Sequence, residues 1–292
     1  MYQDYFQFHL LPFENTPDPR FFYESEQHRE ALAAIEYTIR MRKGFVLITG
    51  EIGSGKTTVG RTVCERSTDR ARIITILHGH CTGRQVIRQI LRAMQIPFSA
   101  TDDHTFLLEK LRNRLLSHAG DTQAIVLLID EAQTLSNTAL EELRLLSNFD
   151  TVTQKLVQVV LVGQPELRQR IQQPGFDALR QRIVIAKQIQ PLSLEDTQRY
   201  ISHRIRVASR APQNIQVKFS DAAIRQIYRT TNGLPRLLNI TCDNCLLLAM
   251  VRDVRQVEVE MVVQVAADAL PRFDEPNIVI PIEPEFKLAR SA

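Results

Sequence analysis

The sequence predicts an α/β fold, a five-stranded parallel sheet wrapped by helices and followed by a small all-helical domain. Three observations lead there. Apolar strand-like runs alternate with amphipathic helical segments in the first two thirds of the chain. The run Ala124-Ile125-Val126-Leu127-Leu128-Ile129 is apolar without a break, as a strand buried on both faces requires. After Pro191 strand-like runs cease and the pattern turns helical.

The strand candidates are Phe45 to Thr49, Ile73 to Leu77, Ile125 to Ile129, Leu156 to Val162 and Ile183 to Ile189. Helical patterns lie between them near Thr57 to Arg66, Arg84 to Met94, Thr105 to Ser117 and Thr138 to Asn148. Right-handed crossovers then leave few topologies. The later helices span Ser193 to Ser209, Ser220 to Thr231, Leu234 to Val251 and Val257 to Asp268, with Ser193 and Ser220 placed as caps ahead of first-turn acids. The division expected is an N-terminal segment over 1–42 packing on a nucleotide-binding base over 43–191, a helical lid over 192–270, and a proline-punctuated extended tail over 271–292.

Residues 50 to 57 read Gly50-Glu51-Ile52-Gly53-Ser54-Gly55-Lys56-Thr57, directly after the first strand candidate and at the start of a helical pattern. This is a complete phosphate-binding loop (P-loop) in the context that such a loop demands. Glycines let successive backbone amides turn toward the phosphates, Lys56 neutralises the β and γ oxygens, and the Thr57 hydroxyl ligates magnesium. A helix beginning there adds its positive end beneath the anion. Asp130 and Glu131 close the third strand, at the edge where parallel sheets place ligands. Asp130 is expected to hold the magnesium and Glu131 to polarise the attacking water, which makes the chain a nucleoside triphosphate hydrolase.

Composition excludes little. The 292 residues are 44% hydrophobic and 24% charged, an ordinary globular balance. A formal charge of +3 and a pI near 8.7 neither require nor exclude nucleic acid. No run approaches the roughly 18 apolar residues of a membrane helix, and the first residues lack a signal-peptide pattern, so a cytoplasmic protein is expected. Four cysteines fit a reducing compartment. Cys242 and Cys245 form a CxxC inside an apolar helical pattern and read as core packing. His78, His80 and Cys81 have no partner set elsewhere and read as a strand end, since zinc needs four ligands at workable spacing. The aromatics Tyr5, Phe6, Phe8, Phe13, Phe21, Phe22 and Tyr23 either line an adenine pocket or glue the first segment onto the sheet domain.

With the loop and the acids in place, further phrases carry a resemblance. Leu11-Pro12-Phe13, Thr16-Pro17-Asp18-Pro19-Arg20-Phe21, then Ser25, His28 and Ala31-Leu32, the run Gly44 to Thr58, Leu161-Val162-Gly163-Gln164-Pro165-Glu166-Leu167 and Gly233-Leu234-Pro235-Arg236-Leu237-Leu238-Asn239 make the chain similar to the AAA+ ATPases. Within these it resembles the ATPase domain of the ExeA (general secretion pathway protein A) family, which is close to the TnsC and TniB transposition regulators. The resemblance covers residues 5 to 268 and implies an AAA+ base and lid, ATP with Mg2+ as the bound species, and Thr58 among the nucleotide contacts.

It also implies roles for four more residues. Gln164 is a sensor touching the γ phosphate or the attacking water, and Arg236 a lid arginine coupling γ-phosphate charge to lid angle. Arg180 or Arg182 is a finger presented to a neighbouring subunit, hence self-association into a ring or filament. The implied function is ATP hydrolysis that drives or switches assembly of a secretion- or pilus-type protein complex. ExeA proteins usually continue into a membrane span and a peptidoglycan-binding region, and nothing after Asp268 has that character. The alternative is therefore an ATP-controlled DNA-binding regulator of the TnsC/TniB type, with phosphate contacts from Arg84 to Arg92 and Gln198 to Arg210.

Overall fold

A computed structural model describes residues 2–269 apart from 17, 68, 77–80, 119–122 and 152–153. Five parallel strands, β1 (Phe45–Gly50), β2 (Ala71–Ile76), β3 (Ala124–Ile129), β4 (Val157–Gly163) and β5 (Ile183–Ile189), form one sheet in the order β2-β3-β4-β1-β5. The central strands β1, β3 and β4 are buried at every position. Their alternate residues feed two separate cores, which is why the sequence shows unbroken apolar runs rather than alternation. Phe45, Leu47, Ile125, Leu127 and Leu161 face one layer, and Val46, Ile48, Val126, Leu128 and Val160 the other.

The helices are numbered in chain order. Among them α2 (Glu26–Arg40) and α3 (Lys56–Arg66) cover the second face, while α4 (Gly83–Ala93), α5 (His104–Ser117), α6 (Asn137–Leu146) and α7 (Pro165–Gln172) cover the first. A short α8 (Asp177–Arg180) leads into β5. Neither α7 nor α8 is among the helices expected from the sequence. The first of them starts at Pro165, whose fixed φ suits an N-terminal helical position.

Beyond β5 come α9 (Leu194–Ala208), α10 (Asp221–Thr231), α11 (Pro235–Val251) and α12 (Val259–Ala269). Ser193 accepts the Asp196 amide at 3.0 Å and Ser220 the Ala223 amide at 3.2 Å, so both carry the expected caps. The region also holds a two-residue parallel pair, β6 (Lys218–Phe219) with β7 (Gln256–Val257), too short to leave a period-2 signal. Cys242 and Cys245 are fully buried on α11; burial pushes the Cys242 thiol well up and the Cys245 thiol up to about 12.

The N-terminal segment differs from expectation. Tyr2, on the four-residue α1 (Tyr2–Tyr5), with Phe6, Phe8, Phe13 and Phe21, joins the core of the helical region, not that of the sheet. α2, through Ala31, Leu32, Ile35 and Ile39, and the half-buried Phe22 pack on the sheet. Composition could not choose between the two surfaces, because both offer apolar partners. The expected last residue of the second strand, Leu77, the histidines 78 and 80, and the tail over 271–292 lie outside the described residues. No helix among the described residues is long and apolar enough to cross a membrane.

Sheet and helical region meet at Leu192, whose amide donates to the Gly233 carbonyl at 2.9 Å. Gly233 has φ +71, and a Cβ there would stand 2.1 Å from the Leu192 carbonyl oxygen. Gly233→Ala is expected to cost at least about 1–3 kcal/mol, read as a drop in the denaturant midpoint. Gly175→Ala, at φ +96 with nothing within 4 Å, is expected to cost less.

Candidate functional site

The site begins where β1 runs out. Gly50 lies so close to β5 that a Cβ would be 2.7 Å from the Ile189 carbonyl oxygen and from Ser54 Oγ. The chain then turns through residues 51–55, with Gly53 at φ +80 and Gly55 at φ +96, conformations that L side chains rarely adopt. Gly55 precedes α3 and no side chain caps that helix, so its first amides stay open toward the loop, where an anion is favoured.

Lys56 is 5% exposed, and its ammonium donates to the Glu51 carbonyl at 2.8 Å. Burial lowers its pKa, and the carboxylates of Glu131, Asp130, Glu51 and Glu166 act the other way. The Thr57 hydroxyl donates to Asp130 Oδ2 at 2.9 Å, and Asp130 Oδ1 accepts the Glu131 amide at 2.9 Å. Glu131 stands in the left-handed region, φ 53, so the chain kinks as it leaves β3. Its Oε2 accepts from the side-chain amides of Gln133 at 2.6 Å and Gln164 at 3.3 Å.

These groups border one cavity of about 410 Å³. Ile52, Gly53, Gly55, Lys56, Thr57, Thr58, Glu131, Gln164 and Arg236 all line it. Asp130 reaches it through Thr57. Arg236 comes from the start of α11; its amide donates to the Gly53 carbonyl at 3.2 Å, and a Cβ on Gly53 would lie 2.5 Å from Arg236 Cβ. Arg180 and Arg182 do not line the cavity. Arg180 pairs with Asp177, its side chain 47% exposed. Arg182 precedes β5 and borders a depression shared with Lys43 and Asp150, at the opposite end of the strands from the loop.

The far wall comes from the N-terminal segment and the helical region. Phe21, Phe22 and Tyr23 line it, so these three aromatics face the cavity while Phe6, Phe8 and Phe13 serve as packing. Arg204, 7% exposed, donates to the Glu14 carbonyl at 3.0 Å, to the Pro12 carbonyl at 2.5 Å and to the Tyr200 hydroxyl at 2.9 Å, and lies 4.8 Å from the centre of the Phe21 ring. The Tyr200 hydroxyl in turn donates to Asn239 Oδ1 at 2.7 Å. None of Gln133, Arg204 and Asn239 was singled out from the sequence for such a contact. Only the two amides adjoining the motifs, Gln133 beside Asp130-Glu131 and Asn239 closing the Gly233 phrase, lay where a signal could have been sought.

His28 acts on the loop directly. It is 4% exposed, its Nε2 stands 3.1 Å from the Ser54 carbonyl oxygen, and its Nδ1 is 2.7 Å from Ser25 Oγ. A carbonyl only accepts, so Nε2 carries the proton and Nδ1 accepts from the serine hydroxyl. A Cβ on Gly55 would be 2.9 Å from that Nε2, so the loop can close on the ring only through glycine.

Residues 39–171 match the family described as AAA domain. The chain is 38% identical over 252 residues to general secretion pathway protein A of Aeromonas hydrophila, covering 86% of this chain and 45% of that protein, so it spans less than half the relative's length. Cdc6p from Pyrobaculum aerophilum superposes with a TM-score of 0.66 at 16% identity, over 89% of this chain and 70% of that one. The ORC2 protein of Aeropyrum pernix, solved as ADPNP-ADP complexes, gives 0.65 at 13% identity over 88% and 71%. The fold is that of the AAA+ P-loop proteins.

Burial lowers the His28 pKa below its ordinary value of 6.5. Below that value the unfolded chain takes up a proton that the folded site resists, so stability should fall as the pH drops through 6.5 toward the depressed folded value. His28→Gln is expected to flatten that part of a melting-temperature profile; an unchanged acid slope would show that the slope arises elsewhere, the half-buried His203 being also lowered.

Proposed function

We propose that this AAA-domain chain binds ATP with Mg2+ at the loop over residues 50–58 and hydrolyses it. The observation that carries the reading is the convergence of three strand ends on one cavity: Lys56 and Thr57 after β1, Asp130 and Glu131 after β3, Gln164 after β4. In this reading the loop amides and the Lys56 ammonium hold the β and γ phosphates. Burial without a carboxylate in contact is what a lysine awaiting an anion needs.

Thr57 Oγ1 and the Asp130 carboxylate are hard oxygen donors already joined to each other, and magnesium favours a few such protein ligands beside substrate phosphates. Those two residues would hold the ion, whose chemistry is to neutralise charge on the phosphate oxygens. Glu131 takes the proton of the attacking water on its carboxylate. Gln164 orients that water or the γ phosphate, and Arg236 reads the γ-phosphate charge from the helical side, with 43–191 as base and 192–270 as lid.

Arg180 and Arg182, remote from their own chain's cavity, fit a finger given to a neighbouring subunit, so turnover depends on self-association into a ring or filament. The output is assembly or switching of a partner protein complex of the secretion type, worked from the cytoplasmic side. That assignment rests on the 38% identity to general secretion pathway protein A.

Glu131→Gln should keep ATP binding and lower turnover about 10²- to 10⁴-fold, read by titration with a fluorescent ATP analogue and by phosphate release. Wild-type release from that variant would remove Glu131 as the base. Lys56→Ala should lose binding itself. For the finger, Lys56→Ala subunits mixed with an Arg180→Ala, Arg182→Ala double variant should recover turnover that neither has alone; a mixture no more active than its parts would overturn action in trans.

A further inference from the structure

We infer that Gln133 is the positioning residue of the hydrolytic base, an inference that rests on the reading of Glu131 just given. Three hydrogen bonds form a closed ring. Gln133 Nε2 donates to Glu131 Oε2 at 2.6 Å, Gln133 Oε1 accepts the backbone amide of Gln164 at 3.0 Å, and Gln164 Nε2 donates to the same Glu131 Oε2 at 3.3 Å. One side chain thus ties the end of β3 to the end of β4. Both amides fasten Oε2, while Oε1 has no protein partner among the described residues and is left for water.

The need for such a tether follows from exposure. Glu131 is an exposed residue in a left-handed kink, and a free carboxylate there would sample several rotamers. A base acts only when its oxygen is held close to the attacking water, so fixing one oxygen orients the other. Gln133 is itself fixed. It sits in the single turn Ala132–Thr134, where its carbonyl accepts from Arg170 Nη1 at 3.1 Å, and Arg170 Nε bonds Asn137 Oδ1 at 3.0 Å. Gly163 clears the space: a Cβ there would be 2.9 Å from Gln133 Oε1.

The residue type is specified by the ring. The position must donate to a carboxylate and accept from a backbone amide at once, which a primary amide does and a carboxylate or an aliphatic chain does not, while the hydroxyls of serine and threonine are too short to span both partners. Asparagine has the chemistry but is one methylene short.

Two variants and a cycle test this. Gln133→Glu keeps the shape and the acceptor for Gln164 while setting a like charge against Glu131; Gln133→Leu removes both bonds. Each should lower kcat about 10- to 100-fold with KM, ATP affinity and melting temperature close to wild type. In the Glu131→Gln background, adding Gln133→Leu should lower turnover no further, because the group it orients is gone. Wild-type kcat in both single variants would overturn the inference, as would a Gln133→Leu loss that persists undiminished on top of Glu131→Gln. Loss of ATP affinity in step with kcat would do the same, since it would make Gln133 a general support of the loop. Glu131→Gln measured alone reports on the base, so failure of that reading is seen separately from failure of this one.

Discussion

The arrangement of the site depends on β4 lying between β1 and β3. All five strands are parallel, so every carboxyl end faces one edge, and the order β2-β3-β4-β1-β5 sets the loop and the acids two strands apart. Neighbouring strands are spaced about 4.8 Å apart, so the gap between β1 and β3 is close to ~10 Å, too wide for two strand termini to touch. The start of α3 closes it. Thr57 reaches across to Asp130, and the end of β4, Gly163 and Gln164, lies between the two ends that this hydrogen bond joins. The lysine, the hydroxyl and the acids therefore form one site because of sheet order, and the place of β4 between β1 and β3 adds Gln164 to it.

Electrostatics gives that site its direction. Lys56 is buried with its ammonium on a backbone carbonyl, and the carboxylates around it act through space without contact. A desolvated cation in that state gains from an anion that brings oxygens to it. Arg204, at the other wall, contrasts with it: it is as buried, but its guanidinium is satisfied by two carbonyls, a hydroxyl and an aromatic face. Neutral partners of that kind stabilise a buried arginine without a carboxylate. The buried lysine and the buried arginine at this cavity therefore differ: the arginine is satisfied by its neutral partners, and the lysine has a single carbonyl.

Legibility followed the range of the forces involved. The central strands could be read because burial on both faces leaves an unbroken apolar run, and the loop because its glycines are demanded by local backbone geometry. Contacts between distant segments could not be read. His28 reaches the loop across 26 residues and Gln133 bridges to Gln164 across 31, and nothing in the neighbourhood of either residue encodes its partner. The N-terminal aromatics show a third limit. Phe6 and Phe8 announce burial, but an apolar surface on the sheet and one on the helices attract them alike, and only three-dimensional packing selects the second. The pair β6–β7 and the short α8 are held by tertiary contacts and carry too few residues for any periodicity.

The junction between loop and helical region follows the same logic at closer range. The Arg236 amide meets the Gly53 carbonyl, and the two residues approach so nearly that Gly53 has no room for a side chain. A contact made through backbone atoms on both sides depends on position and on the glycine that permits the approach. Gly233, three residues earlier, ties the same helix start to Leu192 through a second backbone hydrogen bond. The start of α11 is thus fixed at two points, one on the phosphate-binding loop and one on the exit from the sheet. The loop and the exit from the sheet are therefore joined through one short stretch of chain, residues 233–236, rather than through side chains.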